Sequence, residues 1–80
     1  MNSRTLTRVI KKLKVNEEIY INAINLTPSA FKNLVKLIQK GVLTPKEKEV
    51  KTLYKDVESV MKGKTVLPQM TYIKTKEEKS

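Results

Sequence analysis

The first apolar residues of the chain recur at the spacing of one helix face. They occupy positions i, i+3, i+4 and i+7, and they are Leu6, Val9, Ile10 and Leu13. Ser3 or Thr5 can cap the start of such a helix, because a hydroxyl oxygen accepts from an unpaired backbone N–H there. The pattern therefore predicts a first helix from about Arg4 to Lys14.

The next segment, VNEEIYINAINL, fits two structures. Ile19 and Ile21 alternate with polar neighbours, which is typical of a half-buried strand. Asn16 followed by two glutamates is instead typical of a capped helix start. We expect a short extended segment here, and the assignment of Ile19–Asn25 to strand or helix stays open.

A second helix is predicted to begin at the first of two Leu-Thr-Pro sequences. Thr27 can cap it, and Pro28 suits the first helical position, where its missing N–H would have had no partner. The apolar positions form one wide stripe, namely Ala30, Phe31, Leu34, Val35, Leu37 and Ile38. Gly41 is expected to end the helix, because glycine readily adopts the left-handed conformation that follows a last turn.

The second Leu-Thr-Pro predicts a third helix in the same way. Thr44 as the cap, Pro45 next and Glu47 three residues after the threonine form a capping box. The apolar stripe of this helix comprises Val50, Leu53, Tyr54, Val57 and Met61, and Gly63 ends it. The short link Gly41–Leu43 predicts that the second and third helices form a hairpin.

The segment after Gly63, KTVLPQMTYIKT, predicts an extended arm or an edge strand, because Pro68 cannot donate to a sheet ladder. Pairing of MTYIK with EIYIN would add a minor β-ribbon. The predicted fold class is mainly α: a small three-helix domain over residues 1–74 with short extended segments. A charged tail at residues 75–80 follows it.

Composition narrows the chemistry. The chain has 80 residues with neither cysteine nor histidine, so it lacks thiolate ligands and the side chain that most often serves as a general base. We therefore expect a non-enzymatic protein with no catalytic residues, cofactor or metal site. No apolar run approaches the roughly 18 residues of a membrane span, and the N-terminus lacks the apolar core of a signal peptide. A cytoplasmic location without a membrane partner is expected.

The segment LTPKEKEV, residues 43–50, resembles the opening of the helix-turn-helix domain of the LuxR family of transcription regulators. The resemblance implies a helix start at this point. The residues that follow lack the family's small-residue turn and its recognition-helix pattern, and too few remain for its four-helix domain. No functional residue is carried over from the family.

The charge of the chain indicates the class of its partner. Lysine and arginine number 17 against 8 aspartates and glutamates, which gives a formal net charge of +9. Such an excess is typical of proteins that bind a polyanion, most often nucleic acid, although lysine also keeps small proteins soluble. DNA is favoured over RNA, and an acidic protein surface is the alternative partner.

The excess charge lies in the first two predicted helices, which contain no acidic residue, whereas the third is nearly balanced. The residues expected to contact phosphates are Arg4, Arg8, Lys11, Lys12, Lys32, Lys36 and Lys40, joined by Lys64, Lys74 and Lys76 on the C-terminal arm. Asn33 and Gln39 are candidates for base-edge contacts. Tyr20 and Tyr72 are candidates for stacking on unpaired bases.

These residues favour a small nucleic-acid-binding protein, a DNA-binding regulator or accessory factor. The alternative hypothesis is a protein-interaction module or inhibitor, of the phage or mobile-element type, that docks on a larger machine such as a polymerase or ribosome. Exposed apolar residues such as Leu37 and the Val66–Leu67 pair would then form its surface. Homodimerisation also fits the sequence, because three helices can leave part of the second helix's wide stripe uncovered.

Overall fold

Four α-helices, one 3-10 helix and a three-stranded antiparallel sheet are formed by residues 1–78, the part of the chain that the computed structural model describes. In chain order the elements are α1 (Ser3–Lys12), β1 (Glu18–Asn22), a 3-10 helix (Ala23–Asn25), α2 (Pro28–Gln39), β2 (Leu43–Pro45), α3 (Glu47–Leu53), α4 (Val57–Met61) and β3 (Gln69–Lys74). The fold is mixed α and β, so the prediction of a mainly α three-helix domain is wrong. The last two residues of the predicted tail lie outside the described residues.

β3 is the central strand of the sheet, whose order is β1–β3–β2. The pairing of EIYIN with MTYIK is confirmed, with Ile21 opposite Met70. The prediction of an edge strand at this point is wrong, because Pro68 precedes the first strand residue. At that position only the carbonyl oxygen of the proline is used, and it accepts from the Ala23 N–H at 2.7 Å. The N–H groups of β3 itself therefore remain available for β1 and β2.

One face of the sheet and the apolar sides of α1 and α2 form the core. Buried residues alternate with more exposed ones along β3, so Met70, Tyr72 and Lys74 point to the core side. The residues of α1 and α2 buried in this cluster are Leu6, Ile10, Ala30, Leu34, Leu37 and Ile38, and Val50 of α3 and Val60 of α4 also belong to it. On the opposite face of the sheet, Tyr20 is 58% exposed.

The second Leu-Thr-Pro forms β2 and does not begin a helix. Its residues pair with the C-terminal half of β3, with Pro45 opposite Tyr72. The Thr44 hydroxyl, which was expected to cap a helix, lies 2.9 Å from the Thr75 hydroxyl. α3 begins only at Glu47 and has no side-chain cap. The predicted hairpin of the second and third helices is wrong, because β2 occupies the link between them.

The predicted third helix is also divided into two short helices. Tyr54 between them is extended, with φ −149° and ψ 142°. Asp56 then caps α4, since its carboxylate accepts from the Ser59 N–H at 3.2 Å and from the Ser59 hydroxyl at 2.7 Å. These hydrogen bonds lower the pKa of the Asp56 carboxyl. The predicted apolar stripe is therefore interrupted, and Leu53 is 57% exposed.

The first two helices form close to where the sequence predicts them. Asn2, rather than one of the expected hydroxyl residues, caps α1 by accepting from the N–H three residues further on at 2.8 Å. Thr27 caps α2 as predicted, and Pro28 is its first residue. Gly41 follows the last turn with φ +79°, a conformation that glycine adopts without strain.

Lys74 is the buried charged residue of the described chain, with 1% of its surface exposed. Its ammonium donates to the carbonyl oxygens of Ile10 at 2.8 Å and Leu13 at 2.6 Å, and Glu77 Oε2 lies 3.0 Å away. A cation is favourable at this C-terminal end of α1, because the last carbonyl groups of a helix have no partner within it. Lys74 therefore joins β3 to α1.

Replacing Lys74 with Met should lower the free energy of unfolding by about 1–3 kcal/mol, because the buried carbonyl oxygens lose their donor while the apolar stem is kept. Urea unfolding followed by circular dichroism measures the change. The control Lys76→Met removes the same charge from an exposed neighbour and should change stability by less than about 0.5 kcal/mol. Equal effects of the two substitutions would show that the ammonium does not stabilise α1.

Tyr72 makes the stability of the fold depend on pH. Its side chain is in the core, and burial raises the pKa of its phenol from 10.0 to about 12. The native state therefore keeps this proton at pH values where the unfolded state has lost it. The neutral phenol makes its full contribution to the free energy of unfolding below pH 10. Between pH 10 and about 12 that contribution falls by about 1.4 kcal/mol per pH unit.

Urea unfolding of the wild type and of Tyr72→Phe, below and above pH 10, tests this dependence. The difference between their free energies of unfolding should be constant below pH 10, and above it the wild type should lose stability relative to the variant. Titration of the lysines is common to both proteins and cancels in the difference. A difference that stays constant over the whole range would contradict the raised pKa.

Candidate nucleic-acid interface

α1 and α2 lie side by side and run in the same direction. Just before the two helices, the N–H of Thr27 donates to the carbonyl oxygen of Met1 at 2.9 Å. Further along, the side-chain amide of Asn33 donates to the hydroxyl of Thr7 at 3.0 Å. Both contacts join residues that are 26 positions apart, so equivalent turns of the two helices lie level with each other.

The contact between Thr7 and Asn33 marks a seam between two basic helix faces. On α1, Arg4 and Lys11 are helical neighbours of Thr7, three residues before it and four after it. On α2, Lys36 lies three residues after Asn33. All three basic side chains are exposed, so cations flank the seam on both sides. The exposed basic residues of the two helices, here named the α1/α2 basic face, are Arg4, Arg8, Lys11, Lys12, Lys32, Lys36 and Lys40.

Most of the α1/α2 basic face has no counter-charge among residues 1–78, although all 8 acidic residues fall in that range. Lys40 is the exception, with Glu78 at 3.7 Å. The remaining ion pairs of the described residues involve lysines outside the face, and they are Lys46–Glu18, Lys51–Glu47, Lys62–Glu58 and Lys74–Glu77. The carboxylates thus neutralise lysines of the strands, of α3 and α4 and of the segments beside them. The α1/α2 basic face is left with a net positive charge.

The three basic residues expected from the C-terminal arm have different positions. Lys76 is exposed beside the end of α2, where it and Lys40 line a cavity of about 480 Å³. Lys64 is exposed just after the glycine that lies against Ile38 of α2. Both therefore adjoin the C-terminal half of α2. Lys74 is buried, and its ammonium is occupied by the end of α1, so it is not available to a partner.

Few side chains on the basic face are free to contact bases. Asn33 uses its amide in the seam, whereas Gln39 is exposed. Of the two tyrosines considered for stacking, Tyr72 is in the core, and Tyr20 is exposed on the sheet face opposite the helices. The face is therefore suited to contacts with backbone phosphates and offers little direct readout of sequence.

The apolar residues considered for protein docking are mostly buried. Leu37 is 1% exposed and Leu67 is 8% exposed, while Val66 packs against the core. Of the wide α2 stripe, Phe31 remains exposed. Sequence patterns did not single out Val15 and Ile24, which are exposed beside β1, and they assigned the exposed Leu53 and Tyr54 to the apolar stripe of a helix. Tyr20, which was considered for stacking, is exposed because its side chain alternates with those of Ile19 and Ile21 along β1.

Comparisons with protein-family models, with curated proteins and with solved structures find no match to this chain. The resemblance of residues 43–50 to the opening of the LuxR domain does not extend to the structure, since Leu43–Pro45 is a strand. No helix among residues 1–78 is long and apolar enough to cross a bilayer. Over the same residues no cluster of acidic side chains is arranged to hold a metal ion.

Proposed function

We propose that this chain is a small non-enzymatic protein that binds nucleic acid through the phosphate backbone, as a DNA-binding regulator or accessory factor. The observation that carries the proposal is the seam at Thr7 and Asn33, which places the uncompensated cations of two parallel helices side by side. Within each helix, like charges four residues apart, such as Lys32 and Lys36, repel one another at a cost of a few tenths of a kcal/mol per pair. A polyanion lying along the seam would remove that cost.

The chemistry of the face favours duplex DNA over unpaired strands. Binding of single strands normally combines cations with exposed aromatic rings on which bases stack. The exposed ring of Tyr20 lies on the other side of the sheet, and that of Phe31 belongs to the apolar side of α2, away from the row formed by Lys32, Lys36 and Lys40. Of the two amide side chains considered for base readout, Gln39 is free and Asn33 is not. The affinity would therefore come from phosphate contacts and would depend strongly on salt.

Charge reversal on the face tests the proposal. The double substitution Lys32→Glu and Lys36→Glu should weaken binding to a short labelled DNA duplex by at least about tenfold, and it should lower the slope of log K against log salt by roughly 2. Fluorescence anisotropy over a series of salt concentrations measures both quantities. Circular dichroism verifies that the variant is folded.

The matched control is the double substitution Lys48→Glu and Lys55→Glu, which changes the net charge equally. Both control lysines are exposed, and neither makes an ion pair among residues 1–78. The control should weaken binding by less than about threefold, because it removes no direct phosphate contact and its charges act on the bound DNA only through screened long-range electrostatics. Absence of binding at low salt would refute the proposal. Equal losses in the two double variants would refute the assignment to the α1/α2 basic face.

A further inference from the structure

The outer edge of β1 is a free strand edge. Among residues 1–78, β1 pairs with β3 alone, on one side. At its two ends, the backbone N–H of Lys74 donates to the carbonyl oxygen of Glu17 at 2.9 Å, and the N–H of Ala23 donates to the carbonyl oxygen of Pro68 at 2.7 Å. Because bonded and non-bonded pairs alternate in an antiparallel ladder, the odd-numbered residues of β1 bond to β3. The backbone groups of the even-numbered residues point away from β3, and these residues are Glu18, Tyr20 and Asn22.

This edge has less protection than exposed strands normally have, since Glu18, paired with Lys46 at 3.1 Å, is the single charged residue of β1. Proteins usually place lysine, proline or a bulge on such an edge. Residues 15–31 contain neither lysine nor arginine, although the chain as a whole has a net charge of +9. Three exposed apolar side chains lie in or beside the strand: Val15 is 40% exposed, Tyr20 58% and Ile24 73%. β1 thus combines free backbone donors and acceptors with exposed apolar surface.

We propose that β1 pairs with β1 of a second copy of this chain, antiparallel and centred on Tyr20. The strand sequence EIYIN is nearly the same in both directions around this tyrosine. Centring the two-fold axis there brings all the outward-pointing residues into bonded pairs, Tyr20 with Tyr20 and Glu18 with Asn22. Each bonded pair exchanges two backbone hydrogen bonds. The isoleucines meet each other on the core side.

The distribution of charge favours a second copy at this edge. Two chains of net charge +9 repel each other, and residues 15–31 contribute only the two negative charges of Glu17 and Glu18. In the proposed register each Glu18 faces a neutral Asn22, so no like charges lie directly opposite each other. The segment therefore lets two copies approach with less repulsion than their lysine-rich surfaces would.

The other edge of the sheet explains why pairing would stop at a dimer. β2 has 3 residues and ends in Pro45, which has no N–H to donate, and Lys46 follows it. A short edge with proline and lysine is protected against pairing. The two-fold axis at Tyr20 is perpendicular to the sheet, so it places the helices of both copies on the same side. The pairing itself does not depend on nucleic acid.

Sedimentation velocity on the full chain, over a range of concentrations at moderate salt, tests the pairing. The wild type should form a dimer. Tyr20→Lys places like charges opposite each other at the two-fold axis and should raise the dimer dissociation constant by at least about tenfold. The control Tyr54→Lys adds the same charge at another exposed tyrosine and should change the constant by less than about twofold.

Cross-linking gives a second test that does not depend on adding charge, because the chain has no cysteine of its own. Cα atoms in a bonded antiparallel pair are about 5.5 Å apart, so two thiols at position 20 lie within reach of a short bis-maleimide cross-linker. Tyr20→Cys should therefore form a covalent dimer with this reagent, and Tyr54→Cys should not. A wild type that is monomeric at every concentration would overturn the proposal. A wild-type dimer whose dissociation constant Tyr20→Lys does not change would also overturn the proposal.

Discussion

The insertion of β3 between β1 and β2 is the interaction on which the rest of this structure depends. It joins residues from the two ends of the chain, with Ile21 opposite Met70 in one ladder and Pro45 opposite Tyr72 in the other. Its inward side chains include Met70, Tyr72 and Lys74, which complete the core and hold the end of α1. Contacts between such distant segments form late and slowly compared with local ones. Without β3 the helices would lose the apolar side chains that complete their core.

The sheet also sets the direction of the helices that carry the basic face. β1 lies between α1 and α2 in the chain and returns the backbone to the end at which α1 began, so α2 starts level with α1. An antiparallel hairpin of adjacent helices would instead have placed α2 against the charge-balanced segment that follows it. The parallel arrangement puts the two helices without acidic residues next to each other. The positive surface is thus a consequence of the position of β1 between α1 and α2 in the chain.

Local sequence signals predicted α1, α2 and the exposed basic residues on them, because periodicity and caps act within a few residues. The two Leu-Thr-Pro sequences show where such signals end. Thr27 caps α2, whereas Thr44, in the same local sequence, bonds to Thr75, 31 positions away. Nothing near Thr44 contains that information. Lys74 was predictable in part, since it continues the inward alternation of Met70 and Tyr72.

The basic face and the strand edge would act together if both proposals hold. The net charge of +9 on each copy opposes association, and a polyanion bound across the helices would neutralise part of that charge. Nucleic acid would then strengthen the dimer, and by thermodynamic reciprocity the dimer would bind nucleic acid more tightly. Two faces on one side of a continuous sheet would add avidity, because the second face binds at a high effective concentration. A chain too small to present a large interface would in this way gain affinity from symmetry, with the meeting point formed by a segment, residues 15–31, that contains no lysine or arginine of its own.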